Sequence, residues 1–203
     1  MNARTVAVAR ESLLQHLRTA VLITIVLTVL LGVIYPLIMT GIAQVIFPSQ
    51  ANGSLVRDAS GNVVGSAILA QNFMQPQYFH PRLSAAGSDG YDATASGGSN
   101  LGPTNQKLID TVQQRADAYR AENGLAPDAS VPVDAVTASA SGLDPDITPA
   151  NALLQVHRVA TARGLSDDQV RNMLNQYTEG RTLFVLGEPR VNVLKLNMAL
   201  DGR

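Results

Sequence analysis

Residues Ala20 to Ile38 read AVLITIVLTVLLGVIYPLI, the centre of a run from Thr19 to Phe47 that holds 29 residues without one charge. A bilayer core of about 30 Å takes roughly 20 apolar residues in a helix. Within hydrocarbon only a helix or a closed barrel satisfies its own backbone. The stretch predicts a single transmembrane helix, and everything else is read outward from it.

Toward the N-terminus, Arg4, Arg10 and Arg18 stand against Glu11 alone, whereas beyond the run no charge occurs until Arg57. Basic residues beside a span stay in the cytoplasm. The expected arrangement is therefore a cytoplasmic basic tail over 1–18, a transmembrane helix over 19–47 and one extracytoplasmic domain over 48–203. A cleaved signal peptide is the competing reading, because Gly41-Ile42-Ala43 imitates a small-x-small cleavage site. The apolar run, however, exceeds the roughly 7–15 residues of a typical signal core. Gly32 and Pro36 lie inside it. A small residue at Gly32 lets another helix approach closely, although both types are simply commoner in membrane helices than in soluble ones.

The remaining length is enough for one compact domain with its own core. Residues 48–203 hold 12 Lys+Arg against 15 Asp+Glu, which argues against a nucleic-acid partner, since that would want a basic face. Cysteine is absent, so there is no disulfide framework, thiol nucleophile or thiolate metal site. Aromatic residues make up only 4% of the chain, which leaves little for base-stacking platforms.

Along the outer portion, Ser54–Arg57 and Asn62–Val64 flank a Gly61 turn in the manner of a short hairpin. Ala67–Ala70 reads as a strand or a buried turn. From Gln71 to Pro103 periodicity is lost among glycines and Pro76, Pro81 and Pro103, yet Phe73, Tyr78, Phe79 and Tyr91 fall here. An irregular segment so rich in aromatics is expected to be an ordered loop packed on the domain.

Helical spacing returns with Leu108, Val112, Ala116 and Tyr119 on one face, with Thr104 as N-cap and Gly124 as stop. Val131–Thr137, which contains Pro132, reads in part as an edge strand. A helix is signalled from Thr148 with Pro149 at its first position, Leu153, Val156 and Ala160 inward, and Gly164 as stop. Ser166-Asp167-Asp168-Gln169 is a capping box opening a helix whose stripe is Val170, Met173, Leu174 and Tyr177. Leu183–Leu186 and Val191–Leu196 are rich in β-formers. The fold class is α+β: one N-terminal transmembrane helix, then an outer domain of about three helices and a small sheet.

Catalytic signals are weak. The helix–Gly–helix outline over 148–178 resembles a DNA-reading pair, but its second helix opens with Asp167 and Asp168, which repel phosphate. Ser96-Gly97-Gly98-Ser99-Asn100 has the glycines of an anion cradle but no following GK[ST]. His16, His80 and His157 form no metal-binding pair. A triad around His80 lacks a Gly-x-Ser-x-Gly elbow, and no DKTG-like phosphorylation motif occurs. No catalytic or metal residue is assigned, and no nucleotide-binding residue is identified.

Longer strings carry more. Phe79-His80-Pro81-Arg82-Leu83-Ser84-Ala85-Ala86-Gly87, Gly90-Tyr91-Asp92 and Ser96-Gly97-Gly98-Ser99-Asn100-Leu101-Gly102-Pro103-Thr104-Asn105 closely resemble KdpC, the C subunit of the bacterial Kdp potassium-transporting P-type ATPase. So do Val131–Ser139, Ser141-Gly142-Leu143-Asp144-Pro145, Arg158-Val159-Ala160, Thr178-Glu179-Gly180-Arg181 and Gly187–Leu194, so that the resemblance covers essentially the whole chain. Asp146 departs from it, standing where the family usually has His, as does Ala70, where Gly commonly precedes Gln71.

The resemblance implies a single-pass protein of the bacterial inner membrane, N-terminus cytoplasmic and C-terminal domain outside. Its partners would be a channel-like potassium-translocating subunit, a P-type ATP-hydrolysing subunit and the lipid bilayer. ATP and potassium are used by the complex, with no cofactor assigned to this chain. Two roles follow from the family: a non-catalytic subunit stabilising assembly, or a catalytic chaperone raising the ATP affinity of the hydrolysing subunit. The partner-binding residues expected are Gly32 in the span and Phe79, His80, Arg82, Ser96, Gly97, Gly98, Ser99 and Asn100 outside, because irregular loops on a rigid scaffold are the usual place for recognition.

Overall fold

The computed structural model describes residues 13–202. Most of the basic tail expected over 1–18 lies outside them. The chain divides into two compact units, residues 1–52 and 53–203, each described by itself.

The described part of the first unit, residues 13–52, is mostly helical. Helix α1 (Leu13–Val29) passes through a π-helical turn (Leu30–Ile34) into α2 (Tyr35–Ile46), and a single further turn, α3 (Pro48–Ala51), follows. Leu13–Ile46 runs for 34 residues and contains an 18-residue window of mean hydropathy 2.7, long and apolar enough to cross a membrane. The wide turn has a local cause. Pro36 has no N–H to give and its ring crowds the carbonyl four residues back, that of Gly32. The helix gains one residue there, and the Tyr35 N–H reaches the Leu30 carbonyl, five residues back. Pro36 thus stands in the first turn of α2, where a missing N–H costs nothing.

The second unit begins with β1 (Leu55–Arg57) and β2 (Val63–Ser66), an antiparallel hairpin with an irregularity at Val56/Arg57. Ala67–Ala70 is a turn, with Ala70 buried and its N–H donated to the Leu143 carbonyl. Residues 71–105 contain no helix or strand. Helix α4 (Gln106–Glu122) follows, with Ala116 and Tyr119 buried. Its N-cap is Asn105, one residue after the expected Thr104, because the Asn105 carboxamide accepts from the Lys107 N–H at 2.9 Å.

The expected edge strand over Val131–Thr137 is instead a one-turn helix, α5 (Val133–Val136). Pro132 has φ −60°, and the turn serves to deliver Asp134. Its carboxylate accepts from the Thr148 N–H at 2.8 Å and from the Asn151 side chain at 3.1 Å, binding the turn to the start of the next helix.

After β3 (Asp146–Ile147), α6 (Pro149–Arg163) runs from its Thr148 cap to Gly164, which takes the left-handed conformation at φ 65°. There a Cβ would be penalised. Val156 and Ala160 are buried as expected, but Leu153 is 41% exposed. The buried face of α6 is set by Asn151, Ala152, Gln155, Val156 and Val159, and Leu153 falls outside that stripe. Helix α7 (Asp167–Gln176) opens with the full reciprocal capping box of Ser166 and Gln169.

The short strands β4 (Thr178–Glu179) and β5 (Arg190–Asn192) complete a three-stranded antiparallel sheet in the order β3-β5-β4. The two β-rich stretches end differently from expectation. Leu183–Leu186 forms a turn, and beyond Asn192 the chain becomes α8 (Val193–Leu200). The Asn192 side chain caps this helix by accepting from the Lys195 N–H. Val193, Leu194, Leu196 and Asn197 are buried along it, so the spacing is helical despite the β-branched start.

One core ties these pieces together: Phe79, Ile147, Ala152, Val156, Val159, Val170, Leu174, Val191, Val193 and Leu196. Truncating a buried leucine leaves a cavity that the packed surroundings only partly fill. Leu174→Ala is expected to cost about 2–5 kcal/mol in urea unfolding of residues 53–203. Leu153→Ala should cost less than about 1 kcal/mol, because much of that side chain already faces solvent.

Candidate partner-docking site

The site is built around a stretch with no secondary structure, held in place by side chains reaching in from helices. At Phe79 the backbone is gripped from both sides. Its N–H donates to the Asn197 Oδ1 at 2.8 Å, and Asn197 Nδ2 donates to its carbonyl at 2.9 Å. His80 is gripped in the same way by Gln155: the His80 N–H reaches Gln155 Oε1 at 2.7 Å, and Gln155 Nε2 reaches the His80 carbonyl at 3.3 Å. Each carboxamide, one from α8 and one from α6, satisfies a backbone donor and acceptor as a neighbouring strand would.

Two arginines of α6 extend the grip. Arg158 Nη1 donates to the Pro76 carbonyl at 2.7 Å and the Tyr78 carbonyl at 3.0 Å, while its Nη2 holds Gln155 Oε1 at 2.8 Å and its Nε holds Asn123 Oδ1 at 3.0 Å. Arg163 donates to the carbonyls of Gln77 and Leu200, pairs with Asp201 at 2.9 Å and lies 5.2 Å from the centroid of the Tyr78 ring. The rigid guanidinium fork suits several fixed acceptors at once. At the far end of the buried face, the Tyr119 hydroxyl donates to Asn151 Oδ1 at 2.8 Å, and burial raises the Tyr119 pKa.

The second half of the irregular segment packs on the loop 139–144. Ser84 Oγ donates to the Gly142 carbonyl at 2.6 Å and accepts the Tyr91 N–H at 2.7 Å; the Tyr91 hydroxyl returns to the Arg82 carbonyl at 3.0 Å. Burial pushes the Tyr91 phenol up to about 12. The Gly97 N–H and Ser96 Oγ both donate to the Ser141 carbonyl at 2.9 Å. Gly98 lies so close that a Cβ there would stand 2.9 Å from the Ala140 carbonyl oxygen.

The residues singled out in the sequence therefore separate. Phe79 is wholly buried in the core, and the backbone of His80 is enclosed by α6. Arg82 is half-buried, with Nη1 on Asp144 Oδ2 at 2.8 Å, and its Nε is the one buried side-chain nitrogen or oxygen without a hydrogen-bond partner among the described residues. Ser96, Ser99 and Asn100 are exposed. Gly32 belongs to the helical unit, at the π turn, with Thr28 Cγ2 3.9 Å from the position of an added Cβ.

Arg82 also lines a cleft of about 270 Å³ with Asp134, Asp144, Asp146 and Arg190. Asp146, the departure from the family string, pairs with Arg190 at 3.2 Å and accepts from Asn192 at 3.2 Å. Burial nonetheless raises its pKa, ahead of the lowering by Asn192 and Arg190. Among the described residues, no group of three or more His, Cys, Asp or Glu side chains is placed to hold a metal.

Sequence reasoning missed Asn151, Gln155, Arg158, Arg163 and Asn197. A signal was present: positions 151, 155 and 158 recur at helical spacing beside Ala152, Val156 and Val159. Polar residues on an apolar face are the informative exception, and buried ones are hydrogen-bonded.

These features define a protein with, among the described residues, one candidate membrane span and one α+β unit whose longest loop is anchored on its own helices. The family model described as the K+-transporting ATPase c chain, KdpC, matches residues 17–202, and the chain belongs to that family. Relatives named as potassium-transporting ATPase KdpC subunits include one from Koribacter versatilis, 56% identical over 188 residues, covering 93% of this chain and 95% of the relative. Another, from Caulobacter sp. strain K31, is 56% identical over 191 residues, with 94% and 95% covered. A third, from Mycobacterium tuberculosis strain ATCC 25177 / H37Ra, is 54% identical over 187 residues, with 92% and 98% covered.

His80 carries a pH dependence. Its Nδ1 lies 3.1 Å from Glu122 Oε1 and its Nε2 3.2 Å from the Gln75 carbonyl, two acceptors that favour the charged ring. Burial and the Arg158 charge outweigh them and hold its pKa below the usual 6.5. A depressed histidine is neutral when folded, so its contribution is complete above the unfolded pKa and is lost as pH falls through the folded one. Residues 53–203 should lose thermal stability below about pH 6.5, and His80→Gln should flatten that slope, read as Tm against pH.

Proposed function

We propose that the chain is a non-catalytic accessory subunit of an ATP-driven potassium import complex, with its N-terminus in the cytoplasm and its α+β unit outside the inner membrane. That unit docks on the channel-like subunit and stabilises its assembly with the ATP-hydrolysing subunit. Membership of the family supports the complex, and the basic flank of Arg4, Arg10 and Arg18 supports the orientation. The observation that carries the docking is the anchoring of the irregular segment at Ser96 and Gly97, which hold the Ser141 carbonyl and leave Ser99 and Asn100 exposed just beyond. A surface fixed before contact loses less entropy on binding than a free loop.

Gly32 fits the same reading, since an absent side chain at the π turn permits close approach of another membrane helix. The exposed and the buried parts of the segment separate experimentally. Ser99→Arg combined with Asn100→Asp should leave the Tm of residues 53–203 unchanged while reducing co-purification with the channel-like subunit about tenfold, a loss of about 1.4 kcal/mol. Gly98→Val, which drives a side chain against the Ala140 carbonyl, should instead lower the Tm itself. Normal assembly of the Ser99/Asn100 variant would contradict the docking.

A further inference from the structure

Between β4 and β5 the chain projects a closed apolar tip. Thr182 and Leu186 exchange both backbone hydrogen bonds at 2.9 Å, which leaves Leu183, Phe184 and Val185 at the apex. These side chains are 76%, 94% and 71% exposed, and Leu186 is 58% exposed. Leu183 and Phe184 take left-handed backbone at φ 52° and 65°, a conformation that bulky side chains rarely adopt. The tip is therefore a shaped projection of four consecutive apolar residues, a pattern that isolated surface hydrophobics do not make.

The stem below it is polar but balanced. Arg181 pairs with Glu188 at 2.6 Å, and Arg190 pairs with Glu179 at 2.8 Å. Each charge near the tip is matched by its opposite, so the receptor that complements it is apolar and uncharged. The chain's own connectivity names one. Its candidate span ends at Ile46 and the second unit begins at Gly53, a connection that reaches at most about 25 Å.

Within the second unit, that start is close to the far end of the tip's own strand. The Gly53 carbonyl accepts from Ser66, and the next carbonyl after Ser66, that of Ala67, accepts from Asn192 at 2.8 Å. Asn192 is six steps along the chain from Leu186, at most about 20 Å. With the span in a bilayer, the tip is held at high local concentration near lipid, and a contact too weak to recruit a free protein becomes occupied.

We propose that Leu183–Leu186 is a second membrane contact of this chain, inserting about 5–10 Å into the lipid interface. The proposal rests on the span being in the bilayer. Apolar side chains and an amphipathic stem are what the headgroup boundary accommodates, and the paired charges of the stem remain in water. The chain contains no tryptophan, so a single introduced indole reports on the tip alone.

The test uses full-length chain reconstituted without other subunits into vesicles of phosphatidylethanolamine and phosphatidylglycerol, with part of the acyl chains brominated. Phe184→Trp should emit blue-shifted and lose about half its emission to the brominated chains, as expected for a shallow interfacial depth. Ala126→Trp, at an exposed site on another loop, should emit as in water and be unquenched. Leu27→Trp, in the span, should be quenched; if it is not, the span is not inserted and the anchor fails with it. A water-like Phe184→Trp in vesicles where Leu27→Trp is quenched would overturn the anchor while leaving the span intact. A Phe184→Trp that turns blue only in the assembled complex, without quenching by brominated lipid, would assign the tip to a protein pocket and equally overturn it.

Discussion

The structure depends on side-chain amides and guanidinium groups standing in for a missing strand. Residues 71–105 have no ladder or helix to satisfy their backbone, yet around Phe79 they enter the interior, where an unpaired donor or acceptor costs about 1–3 kcal/mol. Asn197 and Gln155 close this gap at Phe79 and His80, and Arg158 and Arg163 close it at Pro76, Gln77 and Tyr78. Phe79 then enters the core without leaving its own peptide groups unpaired. Because α6 provides most of these contacts, its N-terminal fastening through Thr148 and Asp134 also sets where the loop lies.

The same constraint divides the long family strings by purpose. Phe79, Ser84, Gly97 and Gly98 are committed to the interior and to the 139–144 loop, so their chemistry belongs to the fold. Ser99 and Asn100 follow immediately and are exposed. A recognition surface here would be presented by buried neighbours rather than by local secondary structure.

What the sequence makes legible follows from how local each cause is. The long apolar helix, the hairpin around Gly61, the Thr148 cap, the Ser166–Gln169 box and the Gly164 stop are all written in their own stretches of chain, and all are present. Misreadings occur where a distant contact decides. Val133–Val136 turns helical because Asp134 meets Thr148 and Asn151. Val193–Leu200 is helical because Asn192 caps it and Leu194, Leu196 and Asn197 reach the core. Outside the span the expected docking residues rest on family strings, which carry no distinction between a buried Phe79 and an exposed Asn100. Asn151, Gln155 and Arg158 were visible as polar positions in an apolar period, but their partners lie about eighty residues away for Arg158 and seventy-five for Gln155.

The central claim is that the irregular segment is clamped as firmly as the helices that hold it. Amide hydrogen exchange of residues 53–203 under native conditions measures this directly, because protection reports the free energy of the opening that exposes each N–H. The Phe79 and His80 amides should exchange as slowly as those of Val156 and Val159 in α6, and should be released together with them by denaturant. Exchange of Phe79 and His80 at the rate of an exposed loop, while α6 remains protected, would contradict the account.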